Sequence, residues 1–246
     1  MNSTDSTEKI SSLRDMLAEV TRFCRTEGLR VSLAFGSLAC AALQGKLPGG
    51  WDEASLMMPR PDFLRFLDNF PAGALRCRFG GSRSGRRYFR TYARIEQAGA
   101  GEGAPHVDLI PVDGLPNAPI EQEAFIQECQ RLRKHLRYSQ IPWLPLSLRK
   151  PLLTMFTAHR RSPGKWFRKS LGALTRYDME SCLFAGPVAG ADGMKQIYPK
   201  DMFDRYGTLP LDGEAFPVIE DWDAFLSQQY GDYRNLPPES FRQRES

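Results

Sequence analysis

Cysteine is sparse and unpatterned in this chain. There are five, Cys24, Cys40, Cys77, Cys129 and Cys182, and no CxxC pair among them. An odd, dispersed set argues against a disulfide framework and against a cysteine zinc site. It reads as reduced, mostly buried thiols of a cytoplasmic protein. Long apolar runs are also missing: no stretch of about 18 apolar residues occurs, so no membrane-spanning helix is expected. The opening MNSTDSTEKISS is polar and lacks the hydrophobic core of a secretion signal. No internal repeat and no clean domain linker is visible. No Ser-His-Asp or Cys-His arrangement can be argued from spacing. Charge alone would admit nucleic acid, but no recognised binding module accompanies it, so nucleic acid is not an expected partner.

What is present is enough for a substantial core. The 246 residues are 41% hydrophobic and 11% aromatic, which fits one large domain or one domain with a helical insertion. The net charge of +4 is modest but segregated. From Arg131 to Arg176 there are twelve Lys or Arg and no acid; from Asp201 to Ser246 there are ten acids against four Arg. RCRFGGSRSGRRYFR (76–90) adds six Arg without an acid. Such segregation suggests an anionic partner. Pairing of the basic middle with the acidic C-terminal part inside one fold is the other open reading. Trp143, Trp166 and Phe167 interleave with Lys and Arg, so the 131–176 region could also rest on an anionic membrane surface.

The coarse pattern is α+β. Ile10, Leu13, Met16, Leu17, Val20 and Phe23 predict an amphipathic helix over 9–27, stopped near Gly28. LRVSLAF (29–35) alternates like a strand and runs into Gly36-Ser37, followed by a small-residue helix ended by Gly45. DEASLMM (52–58) reads as a strand, RPDFLRFLDNF (60–70) as a helix with Pro61 near its start. The 75–95 region reads as a hairpin and HVDLIPVDG (106–114) as a further strand. After Pro119 the pattern is helical. We expect a core over 1–120, a basic helical region over 121–185, and an irregular segment over 186–246 that packs back on the core as one structural unit.

Few residues carry chemistry. A strand ending in Gly36-Ser37 before a helix offers free N–H groups and a hydroxyl, a usable phosphate cradle. Carboxylates two apart on a strand share a face and can hold a divalent cation, with a third acid from a neighbouring strand. Asp108, between apolar residues of an expected inner strand, suits that third place; a salt bridge to an Arg of the 76–90 hairpin would also explain it. His106, beside it, reads as a structural strand residue or an acid/base. His135 and His159 lie within basic helices, where contact with solvent or an anion fits better than metal binding. YGDYRNLPP, near the C-terminus, reads as a packing element.

Taken in order, Gly36-Ser37, Trp51 through Leu56, Met58-Pro59-Arg60, Asp108 through Asp113 and Tyr230 through Pro238 resemble the LicD family. That family includes bacterial phosphocholine transferases and the fukutin-related proteins. The resemblance covers roughly residues 10–115 and 200–242. It implies a nucleotidyltransferase-like mixed sheet with a helical second half. It also implies transfer of a phosphorylated alcohol such as phosphocholine from a nucleotide-linked donor to a cell-surface glycan. Mg²⁺ or Mn²⁺ would neutralise the donor diphosphate.

The family's Trp-Asp-Asp-Asp-x-Asp run falls on Trp51-Asp52-Glu53-Ala54-Ser55-Leu56, so the two strand acids fall at Ala54 and Leu56 and are lost. In a regular strand Asp52 shares the face of those positions and Glu53 faces away. The resemblance therefore implies a depleted metal site of Asp52 and Asp108, with Glu53 as a substitute ligand or catalytic acid. Gly36 and Ser37 would cradle phosphate, with Arg60, Arg83, Arg86 and Arg87 near it. A non-catalytic relative that binds a glycan, a nucleotide or an enzyme partner is the alternative that the missing acids motivate.

Overall fold

The computed structural model describes residues 3–80, 88–101, 103–140, 162–189 and 193–241. Helix α1 (Ser3–Thr26) buries Leu13, Met16, Leu17, Val20 and Cys24, the three-and-four spacing of an apolar stripe. It closes in a Schellman motif. Gly28 takes φ 62°, Leu29 N–H reaches Cys24 O at 2.8 Å, and Gly28 N–H reaches Arg25 O at 3.3 Å.

β1 is short, only Ser32–Leu33, because the chain turns directly into α2 (Phe35–Leu43). Phe35 makes that turn at φ 47°, a conformation costly for an aromatic residue and held by its burial. Gly36 and Ser37 thus lie in the first turn of α2 rather than at a strand end, since the helix begins at Phe35, two residues earlier than the sequence pattern suggested. β2 (Glu53–Pro59) runs straight into α3 (Arg60–Asn69), where Pro61 sits at the start. On α3, Phe66 stacks on Phe70 at 4.6 Å, and Phe23 of α1 meets both edge-on. β3 (Leu75–Arg78) and β4 (Ala93–Gln97) form the expected antiparallel pair, and β5 (His106–Leu115) follows.

The main sheet has the order β1-β2-β5-β4-β3. β2 and β5 are parallel; the other neighbours are antiparallel. A parallel pair needs a long crossover, and α3 with the β3–β4 hairpin supplies it. The last three residues of β5 also pair with β6 (Phe184–Gly186), and β6 pairs with β7 (Tyr198–Pro199). A separate hairpin of β8 (Tyr206–Leu211) and β9 (Glu214–Ile219) closes through Asp212-Gly213, both at positive φ as a tight hairpin turn requires. It is tied to β1 where Ile219 N–H donates to Ser32 Oγ at 3.0 Å.

The architecture is α+β, a mixed sheet flanked by helices. The main core draws on residues from Leu13 to Phe241, so the C-terminal segment is part of it. A smaller core lies between α4 (Pro119–Gln140) and α5 (Pro163–Leu174), around Phe125, Ile126, Leu132 and Leu174. On these two helices Arg131, Lys134, Arg137, Lys165, Arg168 and Lys169 are exposed. The stretch 141–161, with Trp143 and His159, lies outside the described residues. Acids of the C-terminal part pair with Arg14, Arg30, Lys200, Arg205 and Arg234. Among the described residues, no helix is long and apolar enough to cross a membrane.

Candidate functional site

β5 has β2 on one side and β4 on the other, and the two registers decide which side chains meet. Across β2, Glu53 stands opposite His106 and Ser55 opposite Asp108. Across β4, Glu96 stands opposite His106 and Arg94 opposite Asp108. One strand further, Arg78 stands opposite Arg94. Residues in register share a face and successive residues alternate. One face of the sheet therefore carries Glu53, Ser55, His106, Asp108, Arg94, Glu96 and Arg78. The other carries Ala54, Leu56, Val107, Leu109, Ala93 and Ile95, all buried in the main core.

This placement revises the sequence expectation for the acidic motif. Ala54 and Leu56 do not face Asp108; Glu53 and Ser55 do. A one-residue difference in register moves every side chain to the opposite face, and sequence alone cannot set that register. Asp52 lies just before β2 and is half-buried. Its backbone carbonyl accepts His106 N–H at 2.9 Å, fastening the start of β2 to β5. The grouping of possible ligands is Glu53, His106 and Asp108, whose ligand atoms lie within 4.8 Å of one another, and Asp52 is not in it.

The geometry of these three is definite. His106 Nε2 lies 3.9 Å from Glu53 Oε2 and 4.0 Å from Asp108 Oδ1. His106 Nδ1 lies 3.1 Å from Ala104 O, which can only accept, so Nδ1–H donates there and Nε2 is turned toward the two carboxylates. Nε2 is buried and has no hydrogen-bond partner among the described residues. A carbonyl holding Nδ1–H while Nε2 is open is the arrangement of a metal-ligating histidine. Glu53 is the most accessible of the three, 17% against 11% for His106 and 8% for Asp108.

Asp108 has a strong partner already. Arg94 grips it with two bonds, Nε to Oδ1 at 2.9 Å and Nη2 to Oδ2 at 3.1 Å. The salt-bridge reading of Asp108 is realised, through Arg94 rather than a residue of 76–90. Burial works against the Arg94 charge, and the bonds to Asp108 outweigh it and raise its pKa. A carboxylate has about four lone-pair sites, so a bidentate arginine leaves acceptor capacity for a cation.

Beyond Arg94 the face turns basic and aromatic. Arg78 Nη1 lies 3.3 Å from both carboxylate oxygens of Glu96. The Arg78 guanidinium sits 4.9 Å from the Tyr88 ring centre, and that of Arg90 sits 5.9 Å from Tyr88 and 5.6 Å from Tyr92. Burial, then the charge of Asp108, pushes the Tyr88 phenol well above its ordinary pKa and Tyr92 up to about 12. Both hydroxyls keep their protons at neutral pH.

The remaining sequence candidates lie elsewhere or serve the fold. Ser37 is buried and its Oγ accepts Ser55 N–H at 2.9 Å, joining α2 to β2. A methyl on Gly36 would stand 2.4 Å from Phe241 O and 2.9 Å from the Trp51 ring. Gly36 is thus the point where the C-terminal segment closes over α2. Arg60 is also buried, with Nε 2.6 Å and Nη2 2.8 Å from the two oxygens of Asp113. That places it in a structural pair inside the core rather than on the face of Asp108. Burial, outweighing Arg60, raises the Asp113 pKa. Arg83, Arg86 and Arg87 lie outside the described residues.

Sequence reasoning passed over Arg94, Ser55, Arg78 and Tyr88 and gave His106 mainly a structural part. One signal was available. Glu53 and Ser55 alternate with the apolar Ala54, Leu56 and Met58, which marks Glu53 and Ser55 as the polar face of the strand.

No family model matches the chain. It is 24% identical over 235 residues to the lipopolysaccharide cholinephosphotransferase LicD of Haemophilus influenzae, a match that covers 88% of this chain and 86% of that protein. A likeness that spans most of both chains supports membership in the LicD family, whose motifs the sequence resembles.

Proposed function

We propose that this chain transfers a phosphorylated alcohol of the phosphocholine type from a nucleotide-linked donor to a cell-surface glycan, on a nucleotidyltransferase-like sheet. The observation that carries this is the Glu53–His106–Asp108 cluster, two carboxylates and an open imidazole nitrogen on one face of β2 and β5. The near full-length likeness to a lipopolysaccharide cholinephosphotransferase supplies the substrate class. These three residues would hold a divalent cation, which when bound offsets the charge of the donor diphosphate. Imidazole suits borderline transition metals better than Mg²⁺, so Mn²⁺ is the better fit to this donor set.

The chain's own residues divide the remaining work. Arg94 fixes the Asp108 carboxylate in one orientation through its two bonds. Ala104 O fixes the His106 ring, so Nε2 faces the carboxylates. Glu53, the most accessible of the three, takes the proton of the acceptor hydroxyl as its oxygen bonds to phosphorus and the nucleotide leaves.

A second reading has its own observation. On this face Ser55 stands where a second carboxylate would follow Glu53, and Arg94 already occupies Asp108. A protein that binds a nucleotide or glycan without transferring anything would tolerate both. Calorimetric titration of CDP-choline with and without Mn²⁺, on the natural chain and on His106→Gln, separates the two. The transferase reading expects Mn²⁺-dependent binding that His106→Gln weakens at least tenfold, together with release of CMP in the presence of acceptor glycan. Binding that ignores both Mn²⁺ and the substitution would overturn the metal-dependent reading and leave the binding one.

A further inference from the structure

We infer that Arg78 and Tyr88, with Arg90 beside them, form a subsite for a phosphate or diphosphate oxyanion next to the Glu53–His106–Asp108 cluster. This rests on the reading above that the chain takes a phosphorylated donor. Three observations support it. First, Arg78 Nε and Tyr88 Oη are both buried and neither has a hydrogen-bond partner among the described residues. Tyr88 is more than nine-tenths buried, at 7% exposure. Buried donors are normally satisfied, and an unmade bond there is costly. Second, both groups are donors. A guanidinium has no acceptor, and the Tyr88 phenol stays protonated in its buried setting. What would satisfy both is an acceptor. Third, two guanidinium groups lie against one phenol ring, at 4.9 Å and 5.9 Å, and Arg78 is offset by Glu96 through Nη1. An oxyanion at this ring would add an acceptor for the donors that Glu96 leaves unmet.

The position is consistent with one extended ligand. Arg78 is opposite Arg94 and Arg94 is opposite Asp108, so Arg78 stands two strands from Asp108. At the usual strand spacing that is about 10 Å between backbones. Along the sheet face Glu53 and Asp108 lie at one end and Arg78, paired with Glu96, at the other, with Arg90 beside Tyr88.

The test uses two conservative variants of the full chain. Tyr88→Phe keeps the ring and removes only the hydroxyl. Arg78→Lys keeps a charge facing Glu96 and removes the Nε–H. Inorganic pyrophosphate and CDP-choline are titrated into each, and thermal midpoints are compared. We expect pyrophosphate to bind the natural chain and to lose about tenfold or more in affinity in each variant. We also expect Tyr88→Phe to melt no lower than the natural chain, since no bond in the free protein is lost. Equal pyrophosphate affinity in all three proteins, or no binding to the natural chain, overturns the inference.

If CDP-choline weakens in parallel with pyrophosphate, the oxyanion is the donor's diphosphate. If pyrophosphate alone weakens, the subsite stands and the oxyanion belongs to the acceptor. Should the subsite behave as expected while Mn²⁺ and His106→Gln leave CDP-choline binding unchanged, the inference survives and the metal-dependent reading does not. Mn²⁺-dependent CDP-choline binding with unaltered pyrophosphate affinity in both variants gives the reverse.

Discussion

Ser55 stands directly opposite Asp108, two residues after Glu53 on the same face of β2. A carboxylate at that position would complete a pair of acids at i and i+2 facing a third. Ser55→Asp is therefore expected to tighten Mn²⁺ binding by tenfold or more, measured calorimetrically or by proton relaxation. Without metal the same change sets two buried carboxylates side by side, next to Arg94 and His106. The metal-free variant should lose about 1–3 kcal/mol of stability, read from urea unfolding, and Mn²⁺ should restore it. Unchanged Mn²⁺ affinity would mean that this face does not hold the cation. His106 and Asp108 were visible in the sequence as an alternating strand pair. That Glu53 joins them was not, because the choice between Glu53 and Asp52 depends on where β2 begins its pairing with β5.

At the scale of elements, the start of α2 is held from three sides. Ser37 Oγ accepts from β2, Ala34 N–H donates to Ser55 O at 2.9 Å, and Phe241 and Trp51 close on Gly36. Backbone N–H groups at a helix start can serve an anion, but here Phe35, Gly36 and Ser37 are all buried. The role read from Gly-Ser as a phosphate cradle is thus, in this geometry, first a joint between three segments. Gly36→Ala pushes a methyl against the Phe241 carbonyl, and backbone cannot rotate away as a side chain can. Overpacking of this kind costs about 1–3 kcal/mol. We expect a lower melting temperature together with faster proteolytic clipping between Tyr233 and Phe241. A variant that melts like the natural chain and resists the protease equally would show that the C-terminal segment is not anchored at Gly36. The helix, hairpin and strand signals before Leu115 were legible because alternation and three-four spacing are local. The joint was not, since it needs Phe241 and Gly36 to meet across most of the chain.

Over the whole molecule, burial sets a clear response to alkali. Tyr88, Tyr92, Tyr206 and Tyr233 all have raised pKa values, in each case through burial first, with Tyr92 and Tyr233 at about 12. A phenol raised in the folded chain favours folding below its ordinary pKa near 10, since both states then keep the proton. That contribution is lost as pH rises through the folded value. Between pH 10 and about 12 the folded chain should thus show fewer ionised tyrosines by ultraviolet absorbance than the unfolded chain, and its melting temperature should fall with pH. Coincident titration curves for the two states would contradict the burial of these rings. The same burial pushes the thiols of Cys24, Cys40, Cys77 and Cys129 up to about 12, in keeping with cysteines that pack rather than react.

Composition and spacing by themselves determined the α+β class, the run of elements to β5, the helical part beyond Pro119, and the ordered motifs that carry the family likeness. These depend on residues near one another in the chain, where hydrophobic period and turn chemistry act directly. Only the tertiary structure decided the chemistry of the acidic stretch. The register of β2 on β5 turned Ala54 and Leu56 into the core and brought Glu53 and Ser55 to Asp108. The register of β4 on β5 then gave Asp108 to Arg94. Strand pairing has a side-chain period of two, so one residue of register separates a buried apolar row from a row of ligands. That choice is made by contacts tens of residues apart.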